Sequence, residues 1–194
     1  MEAKDRKVKG SLLLDYVRMM HADKSKDWGK YLTKEELDLI NGRILASVWY
    51  PADIYIKCGD AVFHELARGS LNVSRQFGKF NADTLFQGTY KGTLEAVLTK
   101  GGGVVKFLER YAAMTPNLLN FANISIKPIS EKRAICAYKV ELDFSEFPAD
   151  GFLSQLAGTI EKLIELAGGK NVTVNFTIKK EPGTTYADYD ATWG

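Results

Sequence analysis

The spacing of apolar residues changes near residue 115, and this change limits the possible folds more than any other feature of the chain. In the first half, apolar residues recur at the spacing of one face of an α-helix. After Thr115 and Pro116 they alternate with polar residues, as on a strand with one buried face. Tyr138 and Val140, for example, flank Lys139. The pattern therefore predicts a helical half followed by a sheet.

Local signals indicate where several helices of the first half begin or end. Thr33 and Glu36 have the spacing of a capping box. Asn41-Gly42 suits the end of that helix, and Pro51 suits the first turn of the next one. The predicted helices span residues 11–22, 33–40, 51–68, 82–99 and 104–113.

The second half predicts two pairs of strands separated by one helix. Short links join the strands of each pair, which favours hairpins. The helix follows Pro148 and ends at Gly168-Gly169. This ββαββ order predicts an α+β fold in which the helix-rich N-terminal half packs on a four-stranded antiparallel sheet. We expect residues 1–32 to form an N-terminal helical extension and residues 33–194 a single α+β ligand-binding-like domain.

Charge and cysteine content argue against several classes of partner. Lys and Arg total 26 and Asp and Glu total 24, so no strong positive field is expected to hold nucleic acid. Two Cys and two His are too few for the usual zinc cages, and we predict no metal and no cofactor. No apolar run is long enough to span a membrane, which favours a cytoplasmic protein with reduced Cys58 and Cys136.

No arrangement of catalytic residues is recognisable in the chain. The three glycines at 101–103 lack the Lys-Ser or Lys-Thr of a phosphate-binding loop, so a helix-to-helix turn is expected there. His64 falls on the polar side of its helix. Asp188 and Asp190 share the solvent face of the last strand. We therefore predict no catalytic residue and a protein that is not an enzyme.

Aromatic residues are common in the helical half, and they supply the candidate ligand site. Their simplest role is to fill the core. The alternative is that some of them line an apolar pocket between helices and sheet, where ligands often bind. Residue type and helix face select the candidates Trp49, Tyr55, Cys58, Phe86, Tyr90 and Tyr111.

Three segments, in this order, carry a resemblance to a known family. They are residues 47–55 (SVWYPADIY), 165–172 (ELAGGKNV) and 189–193 (YDATW). Together with the helix-rich middle, they resemble a group of bacterial paralogues numerous in myxobacteria. That group looks like part of the superfamily of ligand-binding domains in nitric-oxide signalling and Golgi transport. The superfamily includes the haem-binding H-NOX sensors, the vinyl-reductase-like domains and the Bet-type TRAPP subunits.

The resemblance covers residues 33–193 and implies helices on an antiparallel sheet, a hydrophobic pocket for a small molecule or an acyl chain, and frequent dimerisation. Two departures and one point of likeness bear on which members the chain resembles. The Tyr-x-Ser-x-Arg motif and the proximal histidine of the haem sensors have no match here. No cysteine follows Cys136, unlike in many vinyl-reductase-like domains. Cys58 lies in a predicted helix, as the acylated cysteine of TRAPP subunits does.

The leading hypothesis is a non-enzymatic sensory or ligand-binding domain that holds a small apolar molecule or acyl chain and forms a homodimer. One alternative is a dimeric interaction or scaffold protein without a ligand. Another is an enzyme acting on a small apolar substrate. The enzyme would need a pocket with a convergent Asp or Tyr of perturbed pKa.

Overall fold

A computed structural model describes residues 5–88, 90–99, 101–142 and 149–194. Helices dominate its first half, as the apolar spacing predicts, and one long helix interrupts the strands of the second half. The α-helices are α1 (Gly10–Ala22), α2 (Lys34–Asn41), α3 (Ala52–Glu65), α4 (Leu71–Gln87), α5 (Lys91–Thr99), α6 (Val104–Met114) and α7 (Ala149–Leu166).

Two antiparallel sheets accompany the helices. The strands are β1 (Lys7–Lys9), β2 (Trp49–Pro51), β3 (Ala122–Ser130), β4 (Arg133–Val140), β5 (Thr173–Glu181) and β6 (Thr184–Thr192). β1 pairs with β2, and the larger sheet has the order β3-β4-β6-β5. The hairpins β3–β4 and β5–β6 flank α7 in sequence and meet through β4 and β6. The predicted α+β class and the ββαββ order are confirmed.

One predicted helix is wrong in its bounds. Residues 82–99 do not form one helix, because α4 begins at Leu71 and ends at Gln87, and α5 begins at Lys91. The signal that the prediction missed is Ser70, whose side chain accepts a hydrogen bond from the backbone N–H of Val73 and so caps α4.

Residues assigned to the N-terminal extension pack into the main core. Val8 pairs with Tyr50 between β1 and β2. On α1, Leu13 and Tyr16 are almost fully buried. The Tyr16 hydroxyl donates a 2.8 Å hydrogen bond to Oε1 of Gln155 in α7. The first helix is thus built into the fold, while the domain boundary at residue 32 stays a prediction.

The larger sheet has one buried and one exposed face. On β6, Ala187 and Tyr189 are buried, while Asp188 between them is exposed, as predicted. Asp190 pairs with Arg133 at 2.7 Å, with both side chains well exposed. The alternation places α6 and α7 against the buried face.

α4 and α7 cross at a very short distance because glycines lie at their contact. A Cβ on Gly78 would overlap the backbone of Gln155, and a Cβ on Gly158 would overlap that of Arg75. Hydroxyl groups add hydrogen bonds across the contact: Ser74 donates to the carbonyl of Gly151 at 2.8 Å. This crossing fixes two walls of the cavity described next.

No helix within the described ranges is long and apolar enough to cross a membrane. The predicted cytoplasmic location stays a prediction.

Candidate functional site

A cavity of about 80 Å³ lies between the helices and the buried face of the sheet. Its walls come from α1, α3, α4, α6, α7 and β4, with the segment that follows α6. Most of the surface that the wall exposes is apolar, and its apolar side chains are Leu12, Ala82, Leu85, Leu118, Leu119, Phe152 and Leu156. The polar side chains are Asp15, Tyr16, Tyr55, Asn81, Tyr111, Thr115, Tyr138, Gln155 and Thr159. We call this space the tyrosine cavity.

Two of its tyrosines are connected. The rings of Tyr16 and Tyr55 are in contact, with 5.0 Å between their centroids. Tyr16 in turn donates to Gln155. Burial raises the pKa of both phenols, so they are neutral hydrogen-bonding groups at physiological pH. The chain of contacts links α3, α1 and α7 around the cavity.

Tyr138 and Asn81 each leave a polar atom unpaired. The Tyr138 side chain comes from β4 and is 3% exposed. Its hydroxyl and Oδ1 of Asn81 are buried, with no hydrogen-bond partner among the residues that the structure describes. A buried polar group without a partner costs about 1–3 kcal/mol. Two such groups on one cavity wall indicate a place where a bound molecule would supply the missing bonds.

Asp15 gives the cavity its charged group. Its side chain is 10% exposed, and Arg18 contacts one carboxylate oxygen at 3.5 Å. Burial raises the pKa of Asp15 to about 6, although the positive charge of Arg18 acts in the opposite direction. The carboxylate is therefore ionised at neutral pH in an environment that disfavours its charge.

An aromatic cluster backs the cavity. The ring of Phe86 lies 6.1 Å from that of Tyr111 and 5.3 Å from that of Phe107, both at steep angles. Tyr90 packs on the same ring at 5.9 Å. Phe86 and Phe107 are buried almost completely. The cluster holds Tyr111 in the wall.

The structure brings together two of the six predicted ligand residues. Tyr55 and Tyr111 both line the tyrosine cavity. Phe86 and Tyr90 belong to the cluster behind it and are absent from its lining. Ligand binding by Tyr55 and Tyr111 stays a prediction.

Cys58 and Trp49, the other two, are not among the residues that line the cavity. Cys58 is fully buried within α3. Trp49 is 36% exposed in β2, with the Lys9 ammonium 4.3 Å from its ring centroid. The sequence pattern did not predict β2, the strand that holds Trp49. Ligand binding by Trp49, Cys58, Phe86 and Tyr90 stays a prediction.

Sequence reasoning missed Asp15, Tyr16, Asn81 and Tyr138. The available signal was Asp15, an acidic residue three positions from Leu12 and inside the apolar stripe of α1. Tyr138 looked like an ordinary core residue of an alternating strand. Nothing in the sequence shows that its hydroxyl lacks a partner.

Metal ligands do not converge in the part of the chain that the structure describes. His21 contacts Oδ1 of Asn41 at 3.2 Å near the surface, and His64 lies 3.4 Å from the Asp60 carboxylate. Burial raises the pKa of the Cys58 and Cys136 thiols to about 12, so neither is a thiolate at neutral pH.

Among known proteins, the chain matches solved structures but no family model and no curated sequence. Solved structures of H-NOX proteins superpose over nearly the whole chain. One is an oxygen-binding H-NOX domain related to soluble guanylate cyclases, in its oxygen complex. It has a TM-score of 0.64 and 13% identity, and the match covers 95% of this chain and 94% of that one.

Two further structures agree. One comes from work on haem distortion in the H-NOX family, with a TM-score of 0.65, 15% identity and coverage of 95% and 94%. The other is a variant of the H-NOX protein of T. tengcongensis, with a TM-score of 0.63, 12% identity and coverage of 95% and 97%. The chain has an H-NOX-like fold. At this level of identity the H-NOX likeness shows the fold alone.

The H-NOX-like fold confirms the fold that the sequence resemblance implied. The closer grouping with myxobacterial paralogues and the likeness to vinyl-reductase-like and TRAPP domains stay predictions. The tyrosine cavity therefore has to be interpreted from its own residues.

Proposed function

We propose that this protein is a non-enzymatic sensory domain that binds a small molecule in the tyrosine cavity. The observation that carries the proposal is the pair of polar atoms on Tyr138 and Asn81 that lack a partner among the described residues, in a wall whose surface is mostly apolar. Apolar walls with a few convergent polar groups are typical of ligand sites. The H-NOX-like fold supports a sensory role by analogy.

The volume of the cavity restricts the ligand. A dry cavity of about 150 Å³ accommodates benzene. The tyrosine cavity, at about 80 Å³, suits a molecule of roughly three or four non-hydrogen atoms. Of the two ligand classes predicted from the sequence, this supports a small molecule over an acyl chain.

Haem is considered because the similar H-NOX structures come from work on haem. The residues of the tyrosine cavity do not fit it. Haem iron takes a His, Cys, Met or Tyr ligand. The described part of the cavity lining has no His, Cys or Met, and burial raises the pKa of its tyrosines, which disfavours a phenolate. Its volume is also below the roughly 300 Å³ of the smallest common cofactor pockets.

Native mass spectrometry of the purified full chain tests the proposed function. We expect a co-purified or added small molecule to bind the unaltered protein. Ala82→Val adds two methyl groups to the cavity wall and should abolish binding. Ala137→Val makes the same change beside Tyr138 but on the other face of β4, and should leave binding intact. Equal binding by all three proteins would overturn the proposal.

The position and raised pKa of Asp15 support a second candidate function, that of an enzyme acting on a small substrate. A carboxylate with a pKa of about 6 beside phenol hydroxyls is an arrangement suited to general acid–base chemistry. Proton exchange from a weak carbon acid such as acetone tests it, followed by NMR in deuterated water. Exchange that is faster with the protein and lost in Asp15→Asn would support the enzyme, and an unchanged rate would exclude this activity.

The homodimer stays a prediction from the sequence. Light scattering of the purified chain over a range of concentrations tests it, and a monomer throughout would overturn it.

A further inference from the structure

The side chains around the tyrosine cavity carry an unbalanced charge. Among the wall residues that the structure describes, Asp15 is the acidic one and none is Lys, Arg or His. Arg18 reaches one carboxylate oxygen at 3.5 Å, and 62% of its side chain is exposed. An exposed ion pair of that length compensates little of a buried charge. The cavity wall is therefore negative.

Aromatic faces add to the same field. Tyr16, Tyr55, Tyr111, Tyr138 and Phe152 all contribute to the wall. The face of an aromatic ring is electrostatically negative and attracts a cation within about 6 Å of its centre. In a cavity this narrow, any ligand atom lies near several of these rings.

The unpaired polar atoms call for a hydrogen-bond donor. Oδ1 of Asn81 can only accept, and the Tyr138 hydroxyl can accept as well as donate. The Asp15 carboxylate also accepts when it is ionised. A ligand with N–H groups and a positive charge complements all three, whereas an anion or a pure hydrocarbon complements none.

We propose that the tyrosine cavity binds a small organic cation of the protonated alkylamine class. Its ammonium group contacts the Asp15 carboxylate, and its alkyl part packs against the tyrosine rings. This inference rests on the proposed function and adds the chemical class of the ligand.

Two probes of equal size separate charge from shape. Isopropylammonium and propan-2-ol have the same number of non-hydrogen atoms, and only the first is charged. Their binding to the full chain is measured by calorimetry or ligand-observed NMR in a buffer without amines, at about pH 7.5, where Asp15 is ionised. We expect isopropylammonium to bind with at least about tenfold higher affinity than propan-2-ol.

Variants assign the effect to Asp15. Asp15→Asn keeps the shape and removes the charge, so it should weaken isopropylammonium binding at least about tenfold and leave propan-2-ol binding unchanged. Asp188→Asn removes the same charge from the exposed face of β6 and should change neither affinity. Amide NMR spectra of both variants confirm that they are folded.

Equal affinities for the two probes, no binding of either, or isopropylammonium binding that survives Asp15→Asn would each overturn the proposal. These outcomes are distinct from failure of the proposed function. The comparison of Ala82→Val with Ala137→Val detects occupation of the cavity whatever the charge of the ligand.

Discussion

The backbone of Gly78 in α4 lies directly against the carbonyl oxygen of Gln155 in α7, with no space for a side chain between them. The side chain of Gln155 accepts the hydrogen bond from Tyr16 in the tyrosine cavity. The spacing of the two helices and the position of one cavity wall therefore depend on the same contact.

Gly78→Ala or Gly158→Ala should lower the free energy of unfolding by about 3 kcal/mol or more, because each new methyl group overlaps backbone that cannot rotate away. Chemical denaturation measures the change. Gly92→Ala in α5 is the matched control, since nothing lies near its Cβ position. It should leave stability unchanged or raise it by up to about 1 kcal/mol. Alanine tolerated equally at all three positions would contradict the close crossing.

Asp15→Asn should stabilise the protein at neutral pH. The pKa of Asp15 is about 6 in the folded chain against an ordinary value of 3.8, so the folded state binds this proton more tightly than the unfolded state. The contribution of Asp15 to the free energy of unfolding is therefore most favourable below about pH 4, and it is lost as the pH rises through about 6. Above that, the ionised carboxylate costs about 2–3 kcal/mol.

Denaturation midpoints at about pH 4 and pH 7.5 measure this difference. The gain from Asp15→Asn should appear at the higher pH and vanish at the lower one. The groups near Asp15 are Arg18 on its own helix and the cavity tyrosines, and the phenols stay neutral across this range. If Asp15→Asn and the natural protein have equal denaturation midpoints at both pH values, the carboxylate of Asp15 is not buried as described.

Tyr138→Phe and Tyr189→Phe should differ in their effects although both hydroxyls lie in the core. The Tyr138 hydroxyl has no partner among the described residues, so its removal should be neutral or stabilise by about 1 kcal/mol. The Tyr189 hydroxyl donates to the carbonyl of Leu153 at 3.1 Å, and its loss should cost about 1 kcal/mol or more. Urea unfolding of the pair measures the difference, and equal losses would indicate that Tyr138 is hydrogen-bonded.

Cys58 and Cys136 should react with a thiol reagent only after the chain opens. Both side chains are about 1% exposed or less, and burial raises the pKa of each thiol to about 12. Ellman's reagent should therefore label neither thiol rapidly in the folded protein and both in denaturant. Fast labelling of the native chain would contradict their burial.

Local patterns predicted most of the fold. Alternation around Tyr138 and Val140 correctly identified a strand and its buried face, and the Thr33–Glu36 capping box is present as predicted. The bounds of α4 failed because a serine cap such as Ser70 is a weak signal between two helices. Each of these features depends on neighbouring residues alone.

The cavity depends on contacts that no local pattern contains. Tyr16 and Gln155 are 139 positions apart in sequence, and their hydrogen bond requires α1 and α7 to pack side by side. Tyr55 and Tyr111 could be chosen by residue type and helix face. The sequence marks Asp15 only as an acidic residue within an apolar stripe, whereas its raised pKa follows from the residues that surround it in three dimensions.

The strand order β3-β4-β6-β5 has a kinetic consequence. Both hairpins can form early, because their strands are adjacent in sequence. The central pairing of β4 with β6 instead closes a loop that contains α7, and the hydrogen bond from Thr185 to the carbonyl of Leu142 spans 43 positions. Refolding should therefore have its slow step where the two hairpins join. A destabilising mutation where β4 pairs with β6 should slow folding more than a mutation in β3 or β5, the two outer strands. Stopped-flow fluorescence measures the folding rates.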